Sequence, residues 1–190
     1  MKHFNHFDFL APFYDRYIKP SDPSRLRSLI ELPDSGTLLD AGGGTGRIAY
    51  QFIDISNRIV IADSSMGMLA QAVKKGNINS VCSKSEELPF ETKSFDRIIM
   101  VDALHHVNDF KTSLSELWRI LKPGGRIVIE EPDIQTLPVK IMAIIEKLAL
   151  MRSHFISAKK IRDSFSYTNA DVRIERENTT AWIVISKQSK

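Results

Sequence analysis

The chain has 190 residues, 43% of them apolar and 26% charged, with a net charge of +3. This is the length of one domain, able to bury roughly 70% of its unfolded surface, and the composition is that of a soluble globule. The mild charge neither demands nor excludes an anionic partner, whereas the single cysteine, Cys82, excludes an internal disulfide and any cysteine-pair mechanism and suits a reducing cytoplasm.

Met1 to Leu10 lacks a cationic start followed by an apolar run, so no signal peptide is visible. Phe4 to Tyr17 carries Phe4, Phe7, Phe9, Phe13, Tyr14 and Tyr17 at helical spacing, with Pro12 marking a break. Such a segment is either an amphipathic cap on the core or a lid over a site. Ser24 to Leu32 reads as a short helix between turns at Pro20 to Pro23 and Pro33 to Gly36. The first strand is expected at Thr37 to Asp40.

Asp40-Ala41-Gly42-Gly43-Gly44-Thr45-Gly46 follows, and then an apolar-periodic helix expected over Thr45 to Ile53. A strand, a glycine turn and a helix bring bare backbone close to a nucleotide-like ligand. A dinucleotide fingerprint needs its third glycine where Arg47 stands, and a P-loop needs Gly-Lys-Ser/Thr; neither is present. Ile59 to Ala62 is a second strand ending in Asp63. In a βαβ unit a carboxylate there can accept from both hydroxyls of a ribose, the alternative being a cap on the next helix.

A third strand is expected at Asn79 to Cys82, followed by Ser83-Lys84-Ser85-Glu86-Glu87-Leu88-Pro89-Phe90. Phe95 to Val101 reads as a fourth strand, with Asp102, His105 and His106 beyond its end, at the switch point where open α/β sheets bind ligands. Phe110 to Leu121 is an amphipathic helix stopped by Lys122-Pro123-Gly124-Gly125, and Arg126 to Glu130 a buried fifth strand. Val139 to Met151 is apolar around most of its circumference, which suits core or dimer packing, a substrate-pocket wall or a membrane surface. The apolar stretch from Leu137 to Met151 is broken by Lys140, Glu146 and Lys147, so it does not read as a spanning helix. Ala158 to Phe165 is a basic helix, and Val172 to Glu177 with Thr180 to Ser186 form a closing antiparallel pair.

The glycine loop Ala41 to Gly46, Asp63, Leu88-Pro89-Phe90, Val101 to Val107 and Leu121-Lys122-Pro123-Gly124-Gly125-Arg126 occur together and in order. In this the chain resembles the class I S-adenosylmethionine-dependent methyltransferases, and within them the small-molecule branch that includes ubiquinone/menaquinone C-methyltransferases. The resemblance implies an α/β, Rossmann-like three-layer sandwich with a mostly parallel seven-stranded sheet and an antiparallel last strand. It implies one domain over 1–190, with lid or cap helices in 1–33 and a variable substrate-side insert at 132–156. It implies S-adenosyl-L-methionine as cofactor, S-adenosyl-L-homocysteine as product, and a cofactor site made of Asp40, Ala41, Gly42, Gly44, Thr45, Gly46, Asp63, Ser64, Met68, Lys84, Ser85 and Val101. Tyr14-Asp15 occupies the place of an aspartate-tyrosine lid.

There are two departures. Similar enzymes often carry Asp or Asn at Lys84 to accept from the adenine amino group, which an ammonium cannot do. His105-His106 stand where the quinone branch carries Arg-Asn. The expected activity is therefore methyl transfer to an unidentified small molecule. The alternatives are a non-catalytic cofactor-binding regulatory module and a quinone-precursor C-methyltransferase. His106, His105 and Tyr14 are the candidate catalytic groups, with Asp102 and Tyr17 beside them. His3, His6 and His154 have no clustered partner, so no metal site is expected. The string Asp102-Ala103-Leu104-His105 is not the Asp/Asn-Pro-Pro-aromatic motif of amino-methylating nucleic-acid enzymes, and basic residues are dispersed, so no nucleic-acid partner is expected. A cytoplasmic enzyme, dimerising through 137–155, is the remaining expectation.

Overall fold

A computed structural model describes residues 6–17, 23–33, 35–76, 78–148 and 153–189. Phe4, most of the turn expected at Pro20 to Pro23, and the end of the helix expected to reach Met151 lie outside these residues. So do the side chains of Phe9 and Tyr17.

The described chain forms one seven-stranded sheet in the order β3-β2-β1-β4-β5-β7-β6. The strands are β1 (Thr37–Ala41), β2 (Arg58–Asp63), β3 (Asn79–Cys82), β4 (Phe95–Val101), β5 (Leu121–Pro132), β6 (Ala170–Glu177) and β7 (Thr180–Lys187). The pairs among β1 to β5 are parallel, and β7 runs antiparallel to both of its neighbours. The last strand is therefore the antiparallel one, as expected.

The central strands are β-branched runs because both faces of the sheet are covered. Alternate residues serve opposite layers. Leu38, Ile99 and Val128 face one core with α3 (Ser24–Ile30) and α4 (Met66–Ala72). Leu39, Ile98, Met100, Ile127 and Ile129 face the other with α5 (Phe110–Ile120) and α7 (Ala158–Asp163). Asp109 caps α5, its carboxylate accepting from the Lys111 and Thr112 amides.

The N-terminal segment is two short helices, α1 (His6–Leu10) and α2 (Tyr14–Tyr17), with the expected break at the turn that holds Pro12. Two expectations change. The helix after the glycine loop shrinks to a 3-10 turn at Ala49–Phe52, because Gly46 sits at φ +73° and cannot belong to a right-handed helix. Lys122-Pro123-Gly124-Gly125 is not a separate stop: Leu121 already pairs with Phe95, and the register shifts before Arg126 pairs with Arg97. The strand thus starts at the residue that caps α5, with an irregularity absorbing the Pro-Gly-Gly step.

Helix α6 (Leu137–Leu148) leaves the end of β5. It buries Val139 but leaves Leu137, Ile141, Ile144 and Ile145 at least half exposed. No described helix is long and apolar enough to cross a membrane.

Candidate active site

β1 is the centre of the sheet's switch point, with β2 on one side and β4 on the other. Its last residues turn back sharply. The Gly42 amide donates to the Ala62 carbonyl at 2.7 Å, and the Gly46 amide to that of Gly43 at 2.8 Å. Gly42 is at φ +73°, and a Cβ there would lie 2.6 Å from that of Ala103. At Gly44, φ +54°, a Cβ would meet nothing closer than 4.0 Å and would project between Asp63 and the Met68 sulfur. The first glycine is required by packing; the second keeps a cradle open.

That cradle is one wall of a cleft of about 970 Å³, counting the solvent at its open mouth. Asp63 crosses from β2 to the loop. Its Oδ2 accepts from the Gly44 amide at 2.9 Å and its Oδ1 from the Ser65 amide at 2.8 Å. Burial pushes its pKa up, against the opposing pull of those two amides. Each oxygen keeps a further lone pair. Helix α4 is capped by Ser65, whose hydroxyl accepts from the Met68 amide, so Asp63 is not the cap.

Two polar atoms beside the cleft are buried without a partner among the described residues: Asp40 Oδ2 and Ser83 Oγ. Both residues line the space. Burial holds the Asp40 carboxyl up at about 7, with Arg47 pulling it down and Asp63 pushing it further up. A buried acceptor without a donor is costly, and a cationic or hydroxyl-bearing ligand would satisfy it.

The N-terminal helices close over this wall. Asp8 accepts from the Ser65 hydroxyl at 2.5 Å and the Gly67 amide at 2.9 Å. Asp15 accepts from the Thr45 hydroxyl at 2.5 Å and pairs with Lys75. Phe7 and Tyr14 thereby face the cleft. Burial raises the Tyr14 pKa, so it remains a phenol; Arg47 opposes the shift and also hydrogen-bonds Tyr14.

The opposite wall follows β4. Asp102 is held at φ +51° and accepts from Arg47 at 3.0 Å. His106 lines the cleft with its ring 5.1 Å from that of Phe7, edge to face. Burial, reinforced by neighbouring His105, pushes its pKa down to about 3, so it is neutral at physiological pH. His105 is not in the cleft. It is 4% exposed, its Nδ1 lies 2.5 Å from Glu131 Oε2, and its ring stacks on Phe155. Glu131 also accepts from the Ala103 and Leu104 amides at 3.1 and 2.7 Å. The segment after α6 is tied to the same pair, the His154 amide donating to the His105 carbonyl at 2.6 Å.

Of the residues expected in the site, Asp40, Gly42, Gly44, Thr45, Asp63, Ser64, Met68, Lys84, Ser85, Val101, Tyr14 and His106 line one cleft. Ala41, Gly46 and His105 lie behind it. Ala41 is wholly buried, and a Cβ on Gly46 would strike Ile61 at 2.8 Å. Arg47 and the supporting Glu131 are site residues that sequence reasoning misses. Arg47 is hidden in an expected helix, and the signal for Glu131 is two acids, Glu130-Glu131, closing a buried strand. Among the described residues no cluster could hold a metal ion.

Residues 39–129 match the family model described as "Methyltransferase domain". The ubiquinone/menaquinone biosynthesis C-methyltransferase UbiE of Brucella canis is 40% identical over 113 residues, 54% of this chain and 42% of that protein. UbiE of Brucella anthropi is equally similar, over 54% and 43%. The chain thus spans less than half the length of these relatives. Among solved structures, a SAM-dependent methyltransferase of Thermotoga maritima, described as a possible histamine N-methyltransferase, superposes with a TM-score of 0.80 at 22% identity, covering 96% of this chain and 98% of that one. The [4+2]-cyclase SpnF superposes at 0.79 with 14% identity, over 97% and 94%. At these identities the two structures speak for the fold alone. The family match falls on the stretch that builds the cradle, β2 and β4, so residues 39–129 are similar to a methyltransferase domain.

Proposed function

We propose that the protein transfers the methyl group of S-adenosyl-L-methionine to a small organic acceptor. The observation that carries this is the open face of Gly44 between Asp63 and Met68, beside a buried Asp40 oxygen with no partner among the described residues. These residues fit the cofactor. Asp63 has lone pairs left for two ribose hydroxyls, and Asp40 would take the ammonium of the methionine moiety. Bound there, the cofactor would supply the reactive carbon and its own leaving group.

The chain's part is positioning. Phe7 and Tyr14 shield the cleft from water, and aligning two reactants can contribute up to about 7–11 kcal/mol. His106, neutral, orients the acceptor by a hydrogen bond; with a pKa of about 3 it is too weak a base to hold a proton at neutral pH. Tyr14 faces the same space as a neutral donor. The acceptor therefore presents its nucleophile without needing a strong base. Methylation of a quinone precursor ranks second. The Brucella relatives carry that name, but the match covers under half of their length and His105-His106 replace the Arg-Asn of that branch. The exposed α6 stripe is the surface we assign to a homodimer, and the single exposed cysteine fits a cytoplasmic setting.

Titration calorimetry with S-adenosylhomocysteine tests the reading. Binding with one site per chain is expected, and no heat up to the order of hundreds of micromolar would end it. Transfer of labelled methyl into small molecules, and not into precipitated macromolecules, would separate the reading from protein or RNA methylation.

A further inference from the structure

Lys84 is a cleft residue whose side chain neither the fold nor the proposed reaction uses. It lines the cleft and is exposed, and its ammonium pairs with no described residue. Backbone sets its place. β3 runs in register beside β2 with Cys82 opposite Asp63, and the Ser83 amide donates to the Asp63 carbonyl at 3.0 Å. The Glu87 amide then returns to the Lys84 carbonyl at 3.1 Å, closing a turn. The chain thus steps from the sugar-binding carboxylate directly onto 83–86. With the glycine loop on the other side of Asp63, the base carried by a bound ribose must lie against this turn.

Of the turn's two carboxylates, Glu87 does not line the cleft, and Glu86 Oε1 accepts from the Asn108 and Asp109 amides at 2.9 and 3.2 Å. Among the groups the turn offers the base are the Lys84 ammonium and the Ser83 hydroxyl, which has no partner among the described residues. An ammonium has three donors and no acceptor.

We propose that Lys84 is a specificity-determining residue that reads the purine as a hydrogen-bond acceptor, so that the site accepts a nucleoside carrying an oxo group where adenine carries its amino group. This rests on the cofactor-binding reading above. Adenine presents an amino donor beside its N7 acceptor. The ammonium can meet the ring nitrogen but opposes the amino group. A 6-oxopurine presents two acceptors side by side, O6 and N7, and suits the same cation. An amide at position 84 can pair with both the amino group and N7, and would restore the preference for adenine.

Calorimetry with S-adenosylhomocysteine and its deaminated analogue, S-inosylhomocysteine, tests this on the wild type and on Lys84→Asn and Lys84→Met. The wild type should bind the two ligands within about threefold of each other. Lys84→Asn should shift the ratio about tenfold or more toward the adenosyl ligand, the scale of one charge-assisted hydrogen bond. Lys84→Met should lose affinity for the inosyl ligand without gaining any for the adenosyl one. Since Lys84 is exposed, the variants should keep the wild-type melting temperature. If S-adenosylhomocysteine binds but the ratio is unmoved by Lys84→Asn, Lys84 is a solvated surface lysine and the proposal falls alone. If neither ligand binds the wild type, the cofactor reading falls first and takes this proposal with it.

Discussion

The two walls of the cleft are built from different materials. The wall of the glycine loop, Asp63 and Ser65 is mostly main chain. Its amides donate to a carboxylate or a neighbouring strand, and its glycines are dictated by positive φ or by the approach of Ala103. The wall beyond β4 is side chain. His106 meets Phe7 of α1 edge to face, the segment at 153–155 is tied to a buried Glu131–His105 pair, and the helix that leads there exposes an apolar stripe. A wall of backbone constrains the sequence that builds it, whereas a wall of side chains can be remade for each acceptor.

Damage to each wall should therefore read out differently. The largest effect is expected at Glu131→Ala. It removes the acceptor of two amides and the partner of buried His105, and should lower stability by about 3 kcal/mol or more, measured by urea denaturation. Asp63→Ala should weaken S-adenosylhomocysteine by about 2 kcal/mol or more in calorimetry, since two hydroxyls lose a charged acceptor. An unchanged dissociation constant would remove Asp63 from the site.

The pH dependence belongs to Asp40. Its folded-state pKa of about 7 lies above its ordinary 3.8, so the cofactor-free protein binds the proton more tightly than the unfolded chain does. Stability without ligand should therefore fall as pH rises from about 4 to about 7. The affinity for S-adenosylhomocysteine should move the other way. Its ammonium needs the carboxylate, so binding weakens toward tenfold per pH unit below about 7, and Asp40→Asn should flatten that slope. Gly44→Ala combines a strained φ with a methyl in the cradle and should cost about 1–2 kcal/mol of affinity. Least affected is the far end of the other wall. Ile144→Lys on the exposed face of α6 should change stability by under about 0.5 kcal/mol while abolishing any dimer seen by sedimentation.

The same contrast explains which parts of the molecule are legible in its sequence. β3 and β4 are legible to the residue, because apolar runs bounded by turn residues leave little choice. The glycine spacing with Asp63 points to the cradle because few other sequences satisfy that backbone. The helix expected after the loop is too long, because periodicity from Thr45 to Ile53 does not reveal that Gly46 lies at φ +73°. Arg47 is lost with it, since its meaning lies in Asp102, 55 residues away. The paired histidines read alike in sequence, yet one lies in the cleft and the other behind it, because Glu131 pins His105. Such sorting depends on a contact across two strands, which no local pattern carries.

The most direct test is a crystal structure of the protein with S-adenosylhomocysteine. The account predicts the nucleoside in the cleft, its ribose hydroxyls on Asp63 and its ammonium on the Asp40 oxygen that has no partner among the described residues. Nucleoside density elsewhere, or an Asp40 oxygen left unpaired beside the bound ligand, would contradict it.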